Sequence, residues 1–148
     1  YVESFSYQNG LDKYFVYAII KTESNFDSEA VSDVGARGLM QLMEDAFDWV
    51  KFRMGDERNI TYNDMFDPCY NIEYGTFMIK LLYDEYSDEE TALAAYFMGR
   101  GQVNEWLKNK KYSDDGKTLS VIPSAAAEHY VKKVMNAYGS YQNLYNTQ

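Results

Sequence analysis

Apolar residues recur at helical spacing along most of the chain, and this pattern limits the possible folds more than any other feature of the sequence. Leu11, Phe15, Ala18 and Ile19 occupy positions i, i+4, i+7 and i+8 and predict an amphipathic helix over residues 10–23. No segment sustains the alternation of apolar and polar residues that is typical of a half-buried strand. The sequence therefore predicts an all-α fold. Further helices are predicted over residues 44–54, 68–86, 91–98, 103–110 and from 124 onward.

Capping residues mark where several of these helices begin. Asp67 followed by Pro68 has the form of an N-cap residue and of the proline that favours the first helical position. Ser87 stands three residues before a glutamate, which is the spacing of a capping box and predicts Ser87 as the next N-cap. Ser124 is predicted to cap the last long helix. The polar stretch over 55–64 is predicted to be a surface connection.

Length and charge limit the domain organisation and the partners. The 148 residues fit one domain, predicted over 1–148, and a chain of this size can bury roughly two thirds of its unfolded surface. The 23 acidic residues outnumber the 14 basic ones and give a net charge of −9, which argues against a nucleic-acid partner. No run approaches the ~18 apolar residues of a membrane span. No basic and apolar leader precedes the first predicted helix, so we expect no targeting segment within the chain.

Few residues are available as metal ligands. Cys69 and His129 are the only cysteine and histidine, which excludes an internal disulfide and does not supply the ligands of a structural zinc site. We therefore predict neither a metal nor another cofactor. The 15 tyrosines, beside 2 tryptophans and 8 phenylalanines, suit a surface that holds sugars, although packing in and around the core explains them equally well.

Glu23 lies at the end of the first predicted helix, on a face that is otherwise apolar. It follows Val16 by seven residues and Ile19 by four, so the three side chains share one side of the helix. Burial and the negative end of the helix dipole both disfavour the carboxylate and raise its pKa, as a general acid requires. The other interpretation is a glutamate at a helix end whose side chain bends to water. Spacing alone leaves both interpretations open.

Four segments, in order along the chain, resemble the signature of the soluble lytic transglycosylase family, which is related to goose-type lysozyme. The first is ESNFDSEAVSDVGARGLMQLM, which contains Glu23 and a loop punctuated by Gly35 and Gly38. FDPCYNIEYGTFMIKLL resembles the family's helix that opens with D-P and continues N-I-x-x-G. TALAAYFMGRGQVNEWL and IPSAAAEHYVKKV resemble its A-A-Y-N-A-G-x-G and I-P-x-x-E-T-x-x-Y-V segments. Together the segments cover about residues 11–138.

This resemblance implies a single lysozyme-like helical domain with a glycan-binding cleft. It implies cleavage of the β-1,4 bond between N-acetylmuramic acid and N-acetylglucosamine in peptidoglycan, with formation of a 1,6-anhydro end and no consumption of water. Glu23 matches the family's catalytic acid and base. Glycan strands are the implied partner, and the bacterial cell envelope or exterior is the implied location. The residues that match substrate-binding positions are Ser24, Gly38, Leu39, Met40, Gln41, Tyr96 and Tyr130.

Two segments depart from the family pattern. Phe97 stands where the family usually has asparagine, and Ala126 and Ala127 stand where it usually has glutamate and threonine. Glu128 lies about 200° around a helix from Ala126, so it does not replace the missing glutamate without a change of register. We therefore expect the cleft to orient Glu23 less well than in relatives, and turnover to be slow. Two other functions stay open: a glycan-binding or cell-wall assembly module with weak or no turnover, and a lysozyme-type hydrolase on the same fold.

Overall fold

The computed structural model describes residues 1–146, which form seven α-helices and one 3₁₀ helix. The predicted domain, 1–148, ends two residues later, and those two lie outside the described residues. The 3₁₀ helix, Tyr62–Phe66, lies between α3 and α4. The α-helices are α1 Val2–Gln8, α2 Lys13–Ser24, α3 Glu44–Met54, α4 Pro68–Tyr86, α5 Glu89–Met98, α6 Arg100–Leu107 and α7 Ala125–Tyr145.

The buried helix α5 organises the packing of the others. Every residue from Thr91 to Ala95 is at most 1% exposed, as expected for a helix whose sides all face other parts of the protein. Its small alanines allow close packing, and α5 packs against both α4 and α7. The helix α7 also packs along α2. One core therefore joins Ile19 of α2, Leu93 of α5 and Val134 of α7.

Side-chain caps fix the starts of the helices that carry the site. Asp67 accepts a hydrogen bond from the backbone N–H of Cys69 at 2.8 Å, and Ser124 caps α7, so these two predicted starts are confirmed. The prediction for Ser87 is wrong. Ser87 ends α4 with a left-handed backbone (φ 53), and Asp88 begins α5. The Asp88 carboxylate accepts the hydrogen bond from the Thr91 N–H at 2.9 Å, because Ser87 belongs to the turn that ends α4.

Two short elements are not predicted by the sequence patterns. The helix α1 has only seven residues, too few for a clear amphipathic period. The 3₁₀ helix is set by a reciprocal capping box between Thr61 and Asp64. The predicted surface connection over 55–64 is only partly exposed, because Ile60 within it is buried.

The loop between α2 and α3 has no helix and leads past Glu23. Isolated antiparallel bridges join Val31 to Arg37 and Arg37 to Leu42 and fold the loop back on itself. These bridges do not form a sheet within residues 1–146, so the predicted all-α class is confirmed. Over the same residues, none of the helices combines the length and the apolarity needed to cross a membrane.

Candidate active site

Glu23 lies in the last turn of α2, just before the chain enters the loop. Ile19 and Ile20 beside it are buried, and Glu23 itself is half-buried. Burial raises the pKa of Glu23 from 4.5 to about 7, and a hydrogen bond from Tyr130 opposes this shift. Near neutral pH both the protonated and the ionised forms of Glu23 are therefore populated, as a residue that acts first as acid and then as base requires.

The side chain that contacts Glu23 comes from α7. The Tyr130 hydroxyl donates a hydrogen bond to Oε1 of Glu23 at 2.8 Å, and Tyr130 is only 6% exposed. Burial, and then the nearby Glu23 carboxylate, raise the pKa of Tyr130 well above its usual value, so this hydroxyl keeps its proton. The fold thus brings together two predicted site residues that are 107 positions apart in sequence.

Two other predicted residues form hydrogen bonds that hold the loop over 38–41 beside Glu23. The Tyr96 hydroxyl donates to the carbonyl oxygen of Met40, and the Ser24 hydroxyl donates to that of Leu39 at 2.8 Å. Burial, and then the charge of Glu23, raise the pKa of Tyr96 well above its usual value. Both hydroxyls therefore hold the protein's own loop next to the carboxyl group, and contact between either residue and a glycan stays a prediction.

Asn71 on α4 supports the same loop and is not among the predicted site residues. Its fully buried side chain accepts a hydrogen bond from the Met40 N–H at 2.8 Å and donates to the carbonyl oxygens of Arg37 and Met65 at 2.9 and 2.8 Å. Gly38 fits above it because a Cβ there would lie 2.4 Å from Nδ2 of Asn71. The signal was the N-I-x-x-G segment, whose asparagine is Asn71.

The predicted loop residues reach different surroundings. Leu39 and Met40 are 8% and 0% exposed, and Met40 packs where Gly75 leaves room: a Cβ on Gly75 would lie 2.3 Å from Sδ of Met40. Gln41 has a left-handed backbone (φ 52), and its side-chain amide donates to two carbonyl oxygens of the loop at 2.9 and 3.1 Å. The loop residues Gly38 to Gln41 are thus held by internal contacts, and their binding to a glycan stays a prediction.

The positions that depart from the family pattern lie near Tyr130. The ring of Phe97, at the end of α5, stacks on the Tyr130 ring with centroids 4.7 Å apart and planes at 19°. Ala126, one turn before Tyr130 on α7, is exposed, whereas Ala127 is fully buried. Glu128 pairs with a lysine one turn further along α7, in agreement with the expectation that it does not replace the missing glutamate.

A groove of about 320 Å³ extends from this site along α5 and α3. Tyr96 and Phe97 line one end, and Trp49 lines the wall formed by α3. The guanidinium of Arg100 on α6 lies 4.9 Å from the centroid of the Trp49 ring and pairs with Glu85. Asp45 of α3 also lines the groove, so its lining is aromatic and carries charges of both signs.

Glu23 is not among the residues that line this groove, whereas Tyr96 and Phe97 belong both to the groove and to the surroundings of Glu23. An extended ligand in the groove would therefore approach Glu23 past these two side chains.

Comparison with known proteins identifies the family of the domain. The family model described as the transglycosylase SLT domain matches residues 1–119. The chain belongs to this family.

A transglycosylase of Enterobacteria phage PRD1 is 35% identical over 117 residues, which are 79% of this chain and 40% of that protein. The membrane-bound lytic murein transglycosylase C of Salmonella typhimurium strain LT2 is 30% identical over 162 aligned positions, which cover 95% of this chain and 45% of that protein. The chain thus spans less than half the length of these curated relatives.

Solved structures of SLT-family proteins share the fold. The lytic transglycosylase Slt of Pseudomonas aeruginosa, solved as an inactive glutamate-to-glutamine mutant, has a TM-score of 0.83 and 28% identity, and the match covers 98% of this chain and 24% of that one. The 70-kDa soluble lytic transglycosylase of Escherichia coli has a TM-score of 0.84 at 24% identity, over 97% of this chain and 24% of that one. The predicted family and the all-α, lysozyme-like fold are therefore confirmed for this domain.

The raised pKa of Glu23 predicts a stability that depends on pH. Glu23 titrates at 4.5 when unfolded and at about 7 when folded, so its favourable contribution is complete below the lower value and is lost as the pH rises through the higher one. We expect Glu23→Gln, which has no charge to bury, to exceed the parent in stability at about pH 8 by up to about 3 kcal/mol, with no such gain at about pH 4.

Thermal unfolding of both proteins at the two pH values measures this difference. Glu57→Gln, at an exposed position, is the control and is expected to change stability by at most about 0.5 kcal/mol at either pH. A difference between Glu23→Gln and the parent that does not vary with pH would contradict the shifted pKa.

Proposed function

We propose that this domain cleaves the β-1,4 bond between N-acetylmuramic acid and N-acetylglucosamine in peptidoglycan, with Glu23 as its single acid and base and with 1,6-anhydro ends as product. The observation that carries the proposal is the contact of Glu23, a half-buried carboxyl group with a pKa of about 7, with the Tyr130 hydroxyl at 2.8 Å. The inactive glutamate-to-glutamine mutant of the related Slt supports the choice of a glutamate.

In the first step Glu23 is protonated and acts as the acid. Because Oε1 accepts the hydrogen bond from Tyr130, the proton resides on Oε2. That proton passes to the glycosidic oxygen as its bond to the anomeric carbon breaks. The acetamido oxygen of the N-acetylmuramic acid then stabilises the anomeric carbon, as in substrate-assisted glycosidases.

In the second step the Glu23 carboxylate acts as the base. It accepts the proton of the C6 hydroxyl, whose oxygen bonds to the anomeric carbon and closes the 1,6-anhydro ring. Glu23 ends protonated, ready for another cycle, and no water is consumed. The Tyr130 hydrogen bond stabilises the carboxylate between the two steps, which is why it lowers the pKa of Glu23 while burial raises it.

Burial is the main cause of the raised pKa of Glu23, and the Tyr130 hydrogen bond opposes it. This environment suits an acid that later becomes the base. Because burial also raises the pKa of the general acid in lysozyme, the chemistry of the new chain ends is what distinguishes a transglycosylase from a lysozyme-type hydrolase.

Mass spectrometry of purified glycan strands after incubation tests the proposed function. We expect anhydro ends. Reducing ends would show a hydrolase instead, and intact strands would show a binding or assembly module, so either result would overturn the proposal.

The pH dependence of the reaction follows from the acid role. Glu23 must be protonated for the first step, so kcat/KM is expected to fall tenfold for each unit of pH above about 7, the pKa of the free enzyme. Initial rates with soluble glycan strands over a range of pH measure this profile. A rate that stays constant through the alkaline range would contradict the role of Glu23 as acid.

The proposed substrate also indicates the cellular compartment in which the domain acts. Relatives of this domain are named membrane-bound lytic murein transglycosylases, which indicates the cell envelope. Because peptidoglycan lies outside the cytoplasmic membrane, we propose that the domain acts in an extracytoplasmic compartment, with glycan strands as its partner.

A further inference from the structure

Phe97 contacts the proposed site through Tyr130 and takes no part in the proposed proton transfers. The two rings are nearly parallel, with an angle of 19° and centroids 4.7 Å apart. The hydroxyl of the same tyrosine donates to Oε1 of Glu23 at 2.8 Å. A continuous line of contacts thus runs from Phe97 through the Tyr130 ring to the carboxyl group.

Phe97 covers Tyr130 although much of Phe97 itself stays in solvent. Phe97 is 43% exposed, whereas Tyr130 is 6% exposed. More than half of Phe97 is nevertheless covered, and its contact with the Tyr130 ring is part of that cover. Stacked aromatic rings also attract each other in a way that depends on their relative geometry. The Phe97 ring therefore restricts the positions that the Tyr130 ring can take.

The residue one turn before Tyr130 on α7 gives no such cover. Ala126 lies four positions earlier, on the same face of the helix, and its side chain is a single exposed methyl group. Ala126 and Phe97 stand at the positions where the family pattern that the sequence resembles has glutamate and asparagine. Both departures thus adjoin one tyrosine: Ala126 removes side-chain bulk beside it, and Phe97 adds an aromatic ring.

We propose that Phe97 is a positioning residue for the reaction: its ring holds the Tyr130 ring so that the Tyr130 hydroxyl stays on Oε1 of Glu23. This inference rests on the proposed function of Glu23 as acid and base. It reverses the expectation from the family pattern that Phe97 weakens the site, because packing against Tyr130 orients the carboxyl group.

Substitutions of Phe97 test this role. Phe97→Ala and Phe97→Asn remove the ring and are expected to lower kcat for anhydro-product formation by about five- to tenfold, whereas Phe97→Tyr keeps the ring and stays within about twofold of the parent. Phe52→Ala, at an 81% exposed phenylalanine on α3, is the control and leaves kcat unchanged. A Phe97→Asn variant that is as fast as the parent or faster would contradict the proposal and support the expectation of a weakened site.

A double-mutant comparison shows whether Phe97 acts through the Tyr130 hydroxyl. In a Tyr130→Phe background that hydroxyl is absent, so adding Phe97→Ala is expected to lower kcat by less than about twofold. A merely structural effect of Phe97 would lower kcat equally in both backgrounds, and that result would overturn the proposal.

NMR titration of the Glu23 carboxyl group tests the same contact without turnover. Because the Tyr130 hydrogen bond lowers the pKa of Glu23, Tyr130→Phe is expected to raise that pKa in the parent and to leave it nearly unchanged in Phe97→Ala. An equal rise in both proteins would contradict the proposal. If the parent makes no anhydro product, the proposed function fails, and this titration still decides whether Phe97 holds Tyr130 on Glu23.

Discussion

Replacing Glu23 by glutamine is expected to lower the rate of glycan cleavage by about 100- to 10,000-fold, the range that a positioned acid or base contributes. The amide keeps the shape of the side chain and still accepts a hydrogen bond from Tyr130, but it has no proton to give to the leaving oxygen. Release of soluble products from purified peptidoglycan, followed over time, measures the loss.

Two accompanying measurements separate lost chemistry from lost structure. Binding of Glu23→Gln to glycan strands is expected to stay near that of the parent, because its side chain keeps its size and position. Glu57→Gln, at an exposed site on the connection after α3, is the matched control and keeps the parent rate. Cleavage by Glu23→Gln at a rate comparable to the parent would show that another residue is the acid.

Replacing Asn71 by alanine is expected to lower the free energy of unfolding by about 3 kcal/mol or more, because each buried polar group left without a partner costs about 1–3 kcal/mol. The change removes the hydrogen bonds of the Met40 N–H and of the Met65 carbonyl oxygen. It also removes one of the two hydrogen bonds of the Arg37 carbonyl oxygen, which keeps the one from the Leu42 N–H. All of these contacts lie at a side chain with 0% exposure. Denaturant unfolding of parent and variant measures the difference.

An exposed asparagine on a helix gives the control for this effect. Asn136 lies on the solvent side of α7, and Asn136→Ala is expected to change the free energy of unfolding by no more than about 0.5 kcal/mol. A loss of similar size in both variants would mean that Asn71 does not hold the loop by its hydrogen bonds.

The helices and the position of Glu23 were predictable from the sequence because they follow from local rules. The spacing of Val16, Ile19 and Glu23 depends only on the helical repeat, and the structure buries this face of α2 as expected. Burial is the main cause of the raised pKa of Glu23, while Tyr130 opposes it. The hydrogen bond that opposes the shift comes from a helix 107 positions away and has no local signal.

The errors and omissions have a common physical origin. Ser87 and Asp88 are both competent cap residues, and the choice between them depends on how sharply the chain turns between α4 and α5. Asn71 resembles an ordinary polar helix residue until the loop above it is known. In the sequence, Phe97 at a position where the family pattern has asparagine suggests that a polar group is lost. Only the packed structure shows that the Phe97 ring stacks on Tyr130.

The reaction proposed for Glu23 differs from hydrolysis in the source of the oxygen that attacks the anomeric carbon. Digestion of purified glycan strands in heavy-oxygen water, followed by mass spectrometry of the products, identifies that source. The C6 hydroxyl of the substrate closes the anhydro ring, so products of the parent protein are expected to carry no heavy oxygen at the new chain end. A heavy oxygen in each new end would show that water attacks the anomeric carbon, and it would contradict the account of Glu23 as the base that activates the substrate's own hydroxyl.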